Sequence, residues 1–226
     1  MAVNIEAYQS ILRELDIKKA VLVAVSKTKP VSDIQTLYDL GQRDFGENYV
    51  QELVEKQKQL PGDIRWHFIG HLQRNKVKEI APFVHLIHGA DSRKLLMEIG
   101  KQALKCGRTI PVLLQVHIAR EETKFGLDET ELKEIINNLS GLNNVAVKGL
   151  MGMASLTDDR ETIRTEFHYL RSLYDQYSLS PQPTPHPSPL TTLSMGMSGD
   201  YRIAIEEGSN MVRIGSLLFG SRSYER

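Results

Sequence analysis

A chain of 226 residues with 28 basic and 28 acidic side chains, 41% hydrophobic and 25% charged, has the composition of an ordinary globular protein. Its formal charge of zero argues against a nucleic-acid partner, and no run approaches the ~18 apolar residues a membrane span needs. The start MAVNIEAYQS lacks a basic region followed by an apolar stretch, and the one cysteine, Cys106, cannot pair within the chain, so a cytoplasmic protein is expected.

A leading helix is predicted from Ile5, Tyr8, Leu12 and Leu15. Short apolar runs then alternate with amphipathic segments. The runs cover 21–26, 44–47, 65–70, 85–90, 111–118, 145–153, 191–196 and 211–220. Between them, Ser92 precedes a helix over 93–105 with the stripe Leu95, Leu96, Ile99 and Ala103. Cys106 follows it and reads as a packing residue. Asp128 and Glu131 resemble a capping box before the stripe Leu132, Ile135, Ile136 and Leu139. A further helix over 158–177 carries Ile163, Phe167, Leu170, Tyr174 and Tyr177.

Strands rich in Val, Leu and Ile without polar alternation are buried on both faces, as in a parallel sheet. Eight strand–helix units in one domain spanning 1–226 predict an α/β fold, a closed (β/α)8 TIM barrel rather than an open sheet; no GxGxxG follows any strand. The stretch 178–190 holds five of the nine prolines and reads as a stiff, solvated loop within the barrel.

Lys27 shares parity with Val21, Val23 and Val25. If the valines face the barrel interior, so does the lysine, at the mouth where barrel sites lie. A partly desolvated amine there is nucleophilic and can form a Schiff base with a carbonyl. Position alone leaves open the alternative, an ammonium that reaches into solvent as Lys29 is expected to. Barrels often bind phosphate at the loops after the last two strands. Here those loops are SMGMSGDY (194–201) and RIGS (213–216). Gly196, Gly199 and Gly215 permit close backbone approach, Ser198 and Ser216 offer hydroxyls, and Arg213 offers a cation. The alternative is ordinary turn chemistry with Arg213 in an ion pair. Together these features point to a phosphorylated carbonyl compound: a sugar phosphate in a Schiff-base aldolase, or pyridoxal 5′-phosphate (PLP).

Histidines His67 with His71, and His85 with His88, lack the context of a zinc site, so no metal is expected; hydrogen bonding inside the barrel is the expectation for His67. QRNKVKE (73–79) reads as a solvated face.

The blocks AVSKTKP (24–30), FGENYVQE (45–52), WHFIGHLQRNK (66–76), TKFG (123–126), GLMGM (149–153), SMGMSGDY (194–201) and VRIGSLLFG (212–220) resemble the signatures of the PLP homeostasis proteins, the PROSC or YggS-like family. His117, where Asn is expected, and the proline stretch depart from the pattern. The resemblance implies a single barrel like the amino-terminal domain of alanine racemase (PLP fold type III), with PLP as cofactor held by Lys27. It implies that Ser198, Gly215 and Ser216 hold the phosphate, Arg213 faces the pyridine nitrogen and Asn48 lines the ring. An arginine cannot take up the proton that makes the ring a strong electron sink. A non-catalytic carrier of PLP is therefore expected, monomeric, with apo PLP enzymes as recipients, influencing amino- and keto-acid pools. Transfer would need only exchange of Lys27 for an incoming amine. The alternative is a PLP-dependent amino-acid racemase.

Overall fold

The computed structural model describes residues 3–121, 125–179 and 190–220. Eight parallel strands close on themselves in chain order: β1 (Val21–Val25), β2 (Asp44–Glu47), β3 (Arg65–Phe68), β4 (Leu86–Ala90), β5 (Ile110–Gln115), β6 (Val145–Met151), β7 (Thr192–Ser194) and β8 (Met211–Ile214). The last strand pairs with the first, Val23 opposite Arg213. The expected (β/α)8 barrel is the fold observed.

The helices are α1 (Ile5–Lys18), α2 (Val31–Asp39), α3 (Val50–Gln59), α4 (Val77–Ile80), α5 (Arg93–Lys105), α6 (Glu129–Asn137), α7 (Arg160–Leu179), α8 (Tyr201–Glu206) and α9 (Ser216–Phe219). Side-chain caps set the starts of α1, α5 and α6. Asn4 accepts from the Ala7 amide and Ser92 from the Leu95 amide, each capping an end whose amides lack helical partners. Asp128 and Glu131 close the expected capping box. The leading helix buries Tyr8, Ile11 and Leu15 and packs Leu12 against the same core; of the expected stripe only Ile5 is exposed. Cys106 is exposed where α5 ends, in the turn that returns the chain to β5, and is not a packing residue. The run 211–220 is a strand only as far as Ile214, because Gly215 leaves the ladder and α9 begins. Residues 73–79 form a short turn of 3-10 helix and the start of α4, with Val77 buried. The proline stretch falls, at 180–189, outside the described residues, as does Lys124.

Strand alternation sorts side chains into two layers. Leu22, Ala24, Phe45, Trp66, Phe68, Ile87, Val112, Leu114, Leu150, Leu193, Val212 and Ile214 point outward into the large core shared with the helices. Inside the barrel the apolar filling is small: Val23, Leu86, Leu113, Met151 and Met211, with Met153 against them. Polar side chains occupy much of the remaining interior, and the candidate site lies above them. No helix of the described residues is long and apolar enough to cross a membrane.

Candidate functional site at the C-terminal mouth

Lys27 does not end β1. The strand stops at Val25, and Ser26 to Thr28 turn out of it. Val23 faces the barrel interior, and Lys27, two residues beyond the end of the strand, is half-buried. Thr28 has φ 62°, a left-handed conformation that is an outlier for a β-branched residue and persists only where surroundings impose it. Those surroundings are visible. The Thr28 amide donates to Glu52 Oε1 at 2.6 Å, Ser26 Oγ donates to Glu47 Oε1 at 2.6 Å, and Lys56 Nζ donates to the Ser26 carbonyl at 2.7 Å. Lys56 also pairs with Glu47 at 2.8 Å and Glu52 at 2.7 Å. Lys29, expected in solvent, donates instead to the Phe219 carbonyl at 2.8 Å, tying this turn to α9.

Glu47 is fully buried and its second oxygen, Oε2, has no hydrogen-bond partner. Burial pushes its carboxyl up to about 7, against the opposing pull of Lys56 and the Ser26 hydroxyl. Sequence reading missed this cluster. Its signal was an acid ending a four-residue strand, DFGE, whose neighbours are all buried.

Asn48 follows Glu47 at the mouth, half-buried, and its Oδ1 is buried without a partner. The loop carrying it lies against the loop after β3: a Cβ on Gly70 would stand 2.4 Å from the Asn48 carbonyl oxygen. Gly70→Ala must therefore displace Asn48. We expect it to cost ~1–3 kcal/mol of stability in a denaturant titration. It should also weaken any ligand held by Asn48.

Across the mouth, the loops after β7 and β8 meet. Ser198 Oγ accepts from the Gly215 amide at 3.2 Å. Gly215 packs on β1: a Cβ there would lie 3.1 Å from the Val25 carbonyl oxygen. Ser216 is exposed at the start of α9, and Gly199 faces open space. Gly196 has a structural reason to be glycine, since its φ is 96° and a Cβ would strike Ala204 at 2.6 Å. Lys27 and Asn48, joined through Ser26 and Glu47, thus share the mouth with Ser198, Gly215 and Ser216.

Arg213 belongs to the interior rather than the rim. It is 4% exposed and makes no ion pair among the described residues. Nη1 donates to Ser194 O at 2.9 Å and Ser194 Oγ at 2.6 Å, and Nη2 to Gly152 O at 3.0 Å. Burial lowers its affinity for the proton, to about 10. His67 does hydrogen-bond within the barrel, to His88 and to Asp44. His85 sits just before β4, His88 within it. Among the described residues Asp44, His67 and His85 bring ligand atoms within 4.8 Å of one another, a juxtaposition across strands that pairwise spacing in the sequence did not reveal. Asp44 there is already engaged by Arg65, at 2.7 and 2.5 Å.

Residues 1–223 match the model of the family described as "Alanine racemase, N-terminal domain". The chain is 43% identical over 210 residues to the pyridoxal phosphate homeostasis protein of Aquifex aeolicus (strain VF5), covering 91% of this chain and 88% of that one. It superposes on PipY of Synechococcus elongatus PCC7942, solved with PLP bound, with a TM-score of 0.84 and 35% identity, covering 95% of this chain and 99% of that chain. Alanine racemase from Bartonella henselae shares the fold, with a TM-score of 0.73 at 16% identity over all of this chain and 62% of that one. The chain belongs to the pyridoxal phosphate homeostasis proteins, a family built on the barrel of the alanine racemase amino-terminal domain.

Proposed function

We propose that this chain binds PLP at the barrel mouth and serves PLP homeostasis as a non-catalytic carrier, cytoplasmic and monomeric, that supplies apo PLP enzymes. The observation that carries the reading is Arg213, a fully buried cation hydrogen-bonded to oxygens alone, in register with the strand that leads to Lys27. The residues present fit the cofactor. Asn48 Oδ1 is a buried acceptor still lacking a donor. Ser198, Gly215 and Ser216 place hydroxyls and backbone amides where two loops converge, chemistry suited to a phosphate dianion.

Bound there, PLP supplies an electrophilic aldehyde and a ring able to accept electron density. Lys27 would hold the cofactor at that aldehyde. The Ser26–Glu47–Lys56–Glu52 cluster fixes the turn that carries Lys27. Arg213 presents N–H donors only, so it cannot supply a proton-accepting carboxylate to the ring nitrogen. That suits holding more than turnover. The neutral overall charge supports a protein that engages neither nucleic acid nor anionic membrane.

Wild-type protein titrated with PLP should develop the visible absorbance band of a lysine-bound cofactor, and borohydride should remove it while fixing the cofactor to the chain. Lys27→Ala should show neither the band nor fixation. A variant spectrum identical to wild type would refute the lysine assignment; turnover of a chiral amino acid by the pure protein would refute the carrier reading.

A further inference from the structure

A continuous line of polar side chains runs through the barrel interior from its N-terminal end to Arg213. Arg213 Nη1 meets Ser194 Oγ at 2.6 Å, Ser194 Oγ meets His88 Nδ1 at 3.2 Å, His88 Nε2 meets His67 Nδ1 at 2.9 Å, and His67 Nε2 meets Asp44 Oδ1 at 3.0 Å. Arg65 closes the far end on Asp44. His67, His88, Ser194 and Arg213 are each at most 4% exposed and Asp44 is 8% exposed.

The chemistry of the two ends sets the direction of the links. A guanidinium only donates, so Ser194 Oγ accepts from Arg213. Among the described residues that oxygen has one other partner, His88, so its hydrogen points there. A neutral His88 that accepts at Nδ1 carries its proton on Nε2 and donates to His67. His67 in turn carries its proton on Nε2 and donates to the Asp44 carboxylate, which only accepts. The reverse arrangement needs an imidazolium at His67 and leaves the Ser194 hydrogen without an acceptor. It would also add a second cation to an interior that already holds Arg213. Burial above all, with the Arg213 guanidinium beside it, holds His88 well below the usual histidine range, in keeping with the neutral form.

We propose that Asp44, His67, His88 and Ser194 form a one-directional hydrogen-bond chain that positions the Arg213 guanidinium, making Asp44 at the opposite end of the barrel a positioning residue for the cofactor site. The aligned dipoles place their negative ends toward Arg213 and deliver the field of a carboxylate that never touches it. The link to PLP rests on the reading that Arg213 faces the cofactor; the chain itself does not.

Two measurements separate the two claims. Histidine nitrogen NMR on the protein without PLP should show His67 and His88 both neutral with the proton on Nε2 at neutral pH. An imidazolium, or a proton on Nδ1 of either ring, would overturn the chain. PLP titration of the full protein, read by absorbance, should then give about tenfold weaker binding and a shifted band for Ser194→Ala, with Ser194→Thr restoring both, and a similar loss for Asp44→Asn. Wild-type behaviour of Asp44→Asn, with its fold intact by circular dichroism, would overturn the long-range role. Failure of wild type to bind PLP would refute the site reading and the link to it, while the NMR result would still decide the chain.

Discussion

Replacing Lys56 with methionine should be among the most damaging single changes to this protein, costing ~3–5 kcal/mol at about pH 8. Lys56 is 5% exposed and its ammonium satisfies the Ser26 carbonyl, Glu47 and Glu52 at once. Methionine fills the volume but leaves the fully buried Glu47 with no counter-charge. The loss should depend on pH, with a definite sign. The Glu47 carboxyl is raised to about 7 in the folded chain, above the ~4.3 of an unfolded glutamate. Between those values the folded form keeps a proton that the unfolded form has lost. Its contribution is full at acid pH and falls away as pH rises through about 7. Without Lys56 the carboxyl rises further, so the deficit against wild type should be largest in alkali and shrink in acid. Denaturant titrations across pH check this. The double variant carrying Glu47→Gln as well should recover most of the lost stability and flatten the profile, because no buried charge remains to be compensated. Since Lys56 also holds the carbonyl of Ser26, Lys56→Met should retain PLP less well than the double variant's stability alone would suggest.

The barrel was legible because its signal is repetitive. Eight Val-, Leu- and Ile-rich runs, separated by striped helices with readable caps such as Ser92 and Asp128, admit few arrangements, and the strand order follows the chain order. Boundaries were less legible where one side chain outweighs propensity. Lys27 looked like the last residue of β1, yet long-range bonds to Glu47, Glu52 and Lys56 from the next unit bend the chain before it. The residues of the mouth were found through their loops and blocks. The interior polar line was not, although its parity was available: Asp44 and Gly46, Arg65 and His67, Leu86 and His88, and Met211 and Arg213 are alternate pairs on four strands. A histidine two residues after a core leucine on one strand carries little information. Three strands whose inward positions end in His, His and Arg carry much more, but only once the closed strand order says that they face one another.

Arg213→Ala should lower stability by ~2–4 kcal/mol and abolish stable PLP retention. A rim location would have made the substitution mild; the 4% exposure of Arg213 makes it a core deletion. Alanine leaves a cavity in an interior whose apolar filling is already small, the Gly152 carbonyl loses the Arg213 donor, and the Ser194 carbonyl is left with the Gly152 amide alone. One effect opposes this, since the deleted cation was desolvated, with only the charge of Asp200 acting in its favour and no carboxylate hydrogen-bonded to it. Arg213→Met tells the contributions apart. It refills most of the volume and removes the same charge, so it should recover most of the stability lost in the alanine variant. It restores no donor, so cofactor retention should stay as poor as in alanine. Ser198→Ala, which removes a half-buried hydroxyl above the core, should do the converse, weakening PLP binding at a cost in stability under about 1 kcal/mol. If Arg213→Met bound PLP like wild type, the guanidinium would be a structural fixture of the barrel and the phosphate loops and Lys27 would carry the affinity alone.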